Sequence, residues 1–300
     1  MAEEKMQKNY RVLVLSDIHH RHIRAQSIIE KVPHDKCILL GDYFDAWGDS
    51  DFEARNTAEW LRDYILPNKK IVPLIGNHDT MYFYNDNHHF RCSGYTESKN
   101  KTINKILTEE HKAKFNWYHI ESGFLFVHAG VTKPIWNDMV DGTHSEDKRG
   151  NCLELANDVL KFHTEFNHQE AKKGVHAYLF AAGWDRGGLY REGGINWVDW
   201  NSFAPVKNIN QIVGHTRHKV PQILVQQQGG GIFKGPITEY YNSNRNFSNP
   251  LSVNYALDTD SNHYMLIEDG VVNIYDFFHH ANLKDIQNTS VPQSEMNNLT

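Results

Sequence analysis

Cysteine is scarce in this 300-residue chain. Cys37, Cys92 and Cys152 are odd in number and share no CxxC spacing, which speaks against a disulfide scaffold and against a thiolate zinc site. Long apolar runs are missing too: none approaches the roughly 20 residues of a membrane span. The opening MAEEKMQKNY is polar and charged, so no signal peptide is expected and the expected compartment is the cytoplasm. Positive charge is in deficit, with 31 Lys and Arg against 37 Asp and Glu and a net charge of −6. A general nucleic-acid binder would normally be basic, so the chain carries no strong nucleic-acid signal.

What is present is ordinary globular material with one surplus. Hydrophobic residues make up 40% and charged residues 23%, enough for a sizeable core. Histidine is the surplus, at 19 residues, and a His-rich acidic chain is often a metal protein. No linker cuts the chain. One domain over 1–284 is expected, followed by a polar tail at 285–300.

One unit recurs along the sequence: a short β-branched apolar run that stops abruptly at polar, potentially metal-binding residues. RVLVLSDIH covers 11–19, CILLGDYFD 37–45, KIVPLIGNHD 70–79, FLFVHAG 124–130 and QIVGHT 211–216. Such runs read as buried strands. Helical spacing over 22–31 and 52–66 separates the first three, which predicts a parallel sheet covered by helices. A helical insert is expected over about 99–185, with 100–114 and 149–172 its best candidates. Residues 223–225, 252–257, 263–268 and 271–277 predict short strands of a second or mixed sheet. The Gly- and Asn-rich stretch 226–249 reads as a long mobile loop.

In open α/β sheets, ligands bind beyond the carboxyl ends of the strands. The five runs thus line up Asp17, His19, Asp42, Asp45, Asn77, His78, His128 and His215 along one rim. Mixed carboxylate, imidazole and amide donors suit borderline-to-hard divalent cations such as Mn, Fe, Zn or Mg.

In their order, DxH, GDxxD, GNHD, the single His of VHAG, and GHT resemble the calcineurin-like metallophosphoesterases, over residues 17–216. The resemblance implies an α/β fold of two mixed sheets packed as a sandwich flanked by helices, and a dinuclear centre of two divalent ions, with Mn first and Ni a further option. It implies that Asp17 and His19 hold the first metal, that Asn77, His128 and His215 hold the second, and that Asp42 bridges them. It also makes His78 the general acid, with Asp45 orienting it and raising its pKa, while a metal-bridging hydroxide attacks phosphorus. The substrate is then a phosphate ester, a monoester or a nucleotide pyrophosphate first. A phosphodiesterase acting on cyclic nucleotides or nucleic-acid ends is the alternative, and an inactive scaffold ranks last because no ligand position is lost.

VHAGVTKPIW, and GHTRH with Arg217 where many diesterases carry the second His of GHxH, look closest to the phosphoprotein phosphatases and symmetrical dinucleoside tetraphosphatases. A departure bears on substrate. The phosphatases follow GDxxD with Arg-Gly, and here Ala46 and Trp47 follow Asp45. Arg186, in GWDRGG at 183–188, is the preferred replacement phosphate clamp, with Arg217 the other contender. His20, His22, His88 and His89 are expected to be solvated or capping, and Tyr82, Phe83 and Tyr84 to pack behind GNHD. Asp258 and Asp260 read as an acidic turn.

Overall fold

Strand residues alternate between two destinations, and that alternation sets the architecture. In β1 (Arg11–Leu15), Val12 and Val14 join one buried apolar cluster while Leu13 and Leu15 join another. Strand β2 (Lys36–Leu39) divides the same way, Ile38 facing the first cluster and Cys37 and Leu39 the second. Successive side chains of a strand point to opposite faces, so each strand is apolar on both sides and must be covered twice. The computed structural model describes residues 10–84, 87–143, 146–147, 149–243, 249–278 and 283.

Two mixed sheets result. The first also holds β3 (Ile71–Pro73), β10 (His263–Glu268) and β11 (Val271–Asp276), in the order β11-β10-β1-β2-β3. Its β1, β2 and β3 are parallel, as the helical crossovers predicted. The second holds β4 (Tyr118–Glu121), β5 (Phe124–Val127), β6 (Gln211–Val213), β7 (Gln222–Gln226), β8 (Ile232–Pro236) and β9 (Ser252–Ala256), in the order β4-β5-β6-β9-β7-β8. There β5, β6 and β9 are parallel neighbours. Val12, Val14 and Ile38 of the first sheet cluster with Phe126, Ile212 and Val225 of the second, forming the interior of the sandwich.

Helices cover the outer faces. The crossovers are α1 (His22–Lys31), which buries Ala25, Ile28 and Ile29, and α2 (Asp51–Trp60), opened by a Ser50 and Glu53 capping box. A π-helical turn at Leu61–Ile65 continues α2. Helix α3 (Asn77–Phe83) begins inside GNHD. Then follow α4 (Glu97–Ile106), α5 (Glu109–Lys112), α6 (Lys133–Thr143), α7 (Leu153–Lys172) and, late in the chain, α8 (Ile237–Asn242). Among the described residues no helix is long and apolar enough to cross a membrane.

Two expectations are corrected. The stretch 99–185 is not one helical insert, because the antiparallel hairpin of β4 and β5 divides it and joins the second sheet. Of the stretch 226–249, the described residues up to Asn242 are not a loop: β8 pairs antiparallel with β7 from Gln222 and Pro236 to Gln226 and Ile232, and α8 follows at once. The glycines at 229–231 make the turn between these strands, a local role that composition alone does not separate from a loop. Residues 244–248 and the predicted tail at 285–300 lie outside the described residues.

Candidate metal and acid–base site

Five parallel strands end at one rim: β1, β2 and β3 of the first sheet, β5 and β6 of the second. Just past them stand Asp17 and His19, Asp42 and Asp45, Asn77 and His78, His128, and His215. The turns that carry them are strained. Asp17, His19, Asp42, Asp45 and His215 all have positive φ, between 41° and 66°. For non-glycine residues this left-handed region is uncommon, and such strain clusters at functional sites. The loops also approach too closely for side chains. A Cβ on Gly41 would run into the backbone of Gly76, and a Cβ on Gly76 would run into Asp42. Asp79, the last residue of GNHD, ties the same two loops by accepting from the backbone N–H of Asp42 (2.8 Å), Tyr43 (2.9 Å) and Gly76 (2.8 Å).

The side chains converge. Asp17, His19 and Asp42 bring one ligand atom each within 4.8 Å of one another, and so do Asp42, His128 and His215. Asp42 belongs to both groups. Asn77 Oδ1 sits with the second group, 3.0 Å from His128 Nε2 and 2.9 Å from His215 Nδ1. Backbone carbonyls orient the rings: His128 Nδ1 lies 2.8 Å from Leu40 O, and His19 Nδ1 lies 3.0 Å from Phe44 O. That makes each Nδ1 the donor and turns each Nε2 toward Asp42, 3.4 Å away for His128 and 3.7 Å for His19. Outer bonds of this type are the usual support of metal-binding histidines.

The donor set fits divalent cations on two further observations. His215 Nε2 is buried with no hydrogen-bond partner, and burial together with the neighbouring His128 holds the ring well below the ordinary imidazole pKa, in its neutral, ligating form. One of the carboxylates is also short of positive charge. Burial and the nearby Asp258 push Asp17 well above its usual range. Burial also disfavours charge on Asp42, but His128 and His78 outweigh it and hold that carboxyl low. Burial opposes a charged His128, yet Asp42 lifts it to about 9. Cations between these groups would take over the work now done by protons.

Beside this centre lies a second arrangement. The His78 backbone N–H donates to Asp42 Oδ1 (2.9 Å), and its Nδ1 lies 3.0 Å from Asp45 Oδ2. Burial opposes the imidazolium, but Asp42 and then the bond to Asp45 raise the His78 pKa well above its ordinary value. The other Asp45 oxygen accepts from Tyr82 Oη (2.7 Å) and from Lys99 Nζ (2.6 Å). Lys99, only 3% exposed, also reaches Asp49, and His20 Nε2 lies 2.9 Å from Asp49 Oδ2.

Sequence reasoning missed Lys99 and Asp49 and misplaced His20, whose side chain is 5% exposed and buried in this network rather than solvated. Lys99 comes from α4, 54 residues from Asp45, so no local spacing could reveal it. Tyr82, Phe83 and Tyr84 are buried as expected, though Tyr82 also serves Asp45.

Both candidate arginines reach the cleft. Arg186 and Arg217 line a cavity of about 190 Å³ together with His19, Asp42, Asn77 and His215. Arg186 is held by Asp199 at 2.7 Å, and Arg217 pairs with Asp260, which Arg21 also grips. Asp258 faces the same cavity.

The sequence profile of calcineurin-like phosphoesterases matches residues 10–292. The chain belongs to this family. It is therefore a metal-dependent hydrolase acting on phosphate esters. No protein of curated function matches its sequence. Among solved structures, a cold-active protein-tyrosine phosphatase of a psychrophilic Shewanella is 14% identical over 89% of this chain and 78% of that one, with a TM-score of 0.49. A metallophosphoesterase from Sphaerobacter thermophilus is 14% identical, covering 90% of this chain and 88% of that one, with a TM-score of 0.42. A protein serine/threonine phosphatase from Saccharomyces cerevisiae is 8% identical over 93% and 85%, with a TM-score of 0.42.

Proposed function

We propose that the chain hydrolyses phosphomonoesters or nucleotide pyrophosphates with two divalent cations, Mn²⁺ first among them, sharing Asp42. The observation that carries this reading is the pair of three-donor groups with Asp42 in common. Asp17 and His19 would hold one cation and Asn77, His128 and His215 the other. When bound, the pair supplies positive charge for the phosphoryl oxygens and lowers the pKa of a water molecule.

The protein's own residues do the rest. His78 carries a proton at its ring and stands beside the cleft, positioned to protonate the departing oxygen. Asp45 fixes the ring through Nδ1, which leaves Nε2 as the acid. Lys99 and Tyr82 occupy the other Asp45 oxygen, so that Oδ2 is committed to His78. Arg186, steadied by Asp199, would bind a phosphoryl oxygen. The three free thiols, Cys37, Cys92 and Cys152, suit a reducing compartment such as the cytoplasm.

A substrate panel with Mn²⁺ supplied tests the reading. Nitrophenyl phosphate should be cleaved with a higher kcat/KM than bis-nitrophenyl phosphate, because a terminal phosphate carries more charge for two cations and an arginine to stabilise. A reversed order would promote the phosphodiesterase alternative.

A further inference from the structure

A cavity of about 470 Å³ adjoins the candidate centre and shares Ser93, Arg186 and Trp197 with it as a common wall. Its lining differs sharply in charge from the neighbouring spaces. The 190 Å³ cavity carries Asp42, Asp258 and Asp260, and the larger groove past Trp47 carries Asp45, Asp49, Asp51 and Asp260. The 470 Å³ cavity is lined by His89, Arg91, His176 and Arg186 and by no carboxylate among the described residues.

These groups are only partly neutralised by the protein. Arg186 has Asp199. Arg91 lies over the Tyr95 ring, 4.5 Å from its centroid, and its nearest carboxylate contact, to Glu97, is stretched to 4.0 Å. His89 and His176 face each other edge to face with ring centroids 4.8 Å apart. Burial and the charge of His89 hold the His176 pKa below the ordinary imidazole value. An anion bound beside these rings would favour the charged form of His176.

We propose that this cavity is a second anion subsite, which takes a phosphoryl group of the substrate other than the one being hydrolysed. Polyphosphorylated small molecules, nucleoside diphosphates and triphosphates among them, are then the preferred substrate class. A phosphoryl group fits better than a peptide carboxylate because its nonbridging oxygens, set tetrahedrally, accept from donors that converge from different directions. The volume suits part of a small ligand. The inference rests on the reading above in one respect: the scissile phosphoryl lies at the Asp42 centre.

The test is calorimetric binding of AMP and of α,β-methylene ADP at fixed free Mn²⁺, on the wild type and on the double variant Arg91→Ala with His176→Ala. The wild type should bind the diphosphate analogue at least about tenfold more tightly than AMP, and the double variant should lose most of that difference. His89→Gln, a milder change, should lose part of it. Equal affinities in the wild type, or a double variant that weakens both ligands alike, would overturn the proposal. So would an acidic phosphopeptide that binds more tightly than the analogue. Turnover of nitrophenyl phosphate, which has no second anion, is measured alongside and reports the catalytic reading separately. An inactive but folded wild type would count against that reading while the affinity difference still decides the subsite.

Discussion

Asp17, Asp42 and His215 hang from tight turns just past parallel strands, and Asn77 and His128 stand close beyond strand ends, whereas Asp45 and His78 depend on Lys99, Asp49 and Tyr82, which α4, the loop before α2, and α3 carry in from outside the sheets. The candidate metal end is thus set by backbone: positive φ angles, glycine contacts and the Asp79 knot between two loops. The candidate acid end is set by side chains, through a buried network of alternating charge. Backbone-built geometry tolerates the loss of a side chain without moving its neighbours. A side-chain network transmits such a loss, because removing one partner strands the others in a buried site.

The largest expected effect is at the shared carboxylate. Asp42→Asn should fold normally, being nearly isosteric, yet lose at least about a hundredfold in turnover because both proposed cations lose an anionic donor. Steady-state kinetics on metal-checked protein decides this. Near-wild-type turnover there would remove the distinction between the two ends.

His78→Ala comes next and should be selective. Alkyl phosphates need a proton on the departing oxygen and should lose about 10²–10⁴-fold, while nitrophenyl phosphate scarcely needs one. Equal losses on the two substrates would make His78 a positioning residue and place it with the metal end.

Lys99→Met should cost less, about tenfold, as changes to outer partners of a site usually do. Its pH profile is the sharper signature. His78 acts as a proton donor, so activity should fall as pH rises through its raised pKa. Without the Lys99 cation, Asp45 exerts its full negative charge on His78 and raises that pKa further. The alkaline limb should therefore move to higher pH in Lys99→Met. A limb that moves down or stays fixed would detach Lys99 from the acid.

Arg186 grips substrate from the cleft wall while paired to Asp199, so its loss should fall on substrate preference rather than on the acid or the metals. Arg186→Ala should remove about 1.5–3 kcal/mol of transition-state binding, the usual size of a charge-assisted hydrogen bond. It should erode the preference for nitrophenyl phosphate over the diester.

The same contrast explains what the sequence made legible. Strand-end residues follow an apolar run directly, so Asp17, His19, Asp42, Asn77, His128 and His215 could be named from local pattern, and the structure brings all six together. The two-sheet sandwich followed from the family resemblance, whereas local pattern left a second or a mixed sheet open, and β10 and β11 join β1 in the first sheet. Lys99 and Asp49 could not be named, since their partner Asp45 is chosen by how α4 and α2 dock. His20 was misjudged because its burial depends on that docking too. The hairpin of β7 and β8 was hidden by its glycines, which in composition resemble a loop and in space make one turn.

The proposed chemistry turns on two cations meeting at Asp42, and metal content measures that directly. Elemental analysis of protein reconstituted with Mn²⁺ and freed of excess should find two ions per wild-type chain, and at most one in Asp42→Ala. One ion per wild-type chain, or two retained in Asp42→Ala, would contradict a shared dinuclear site.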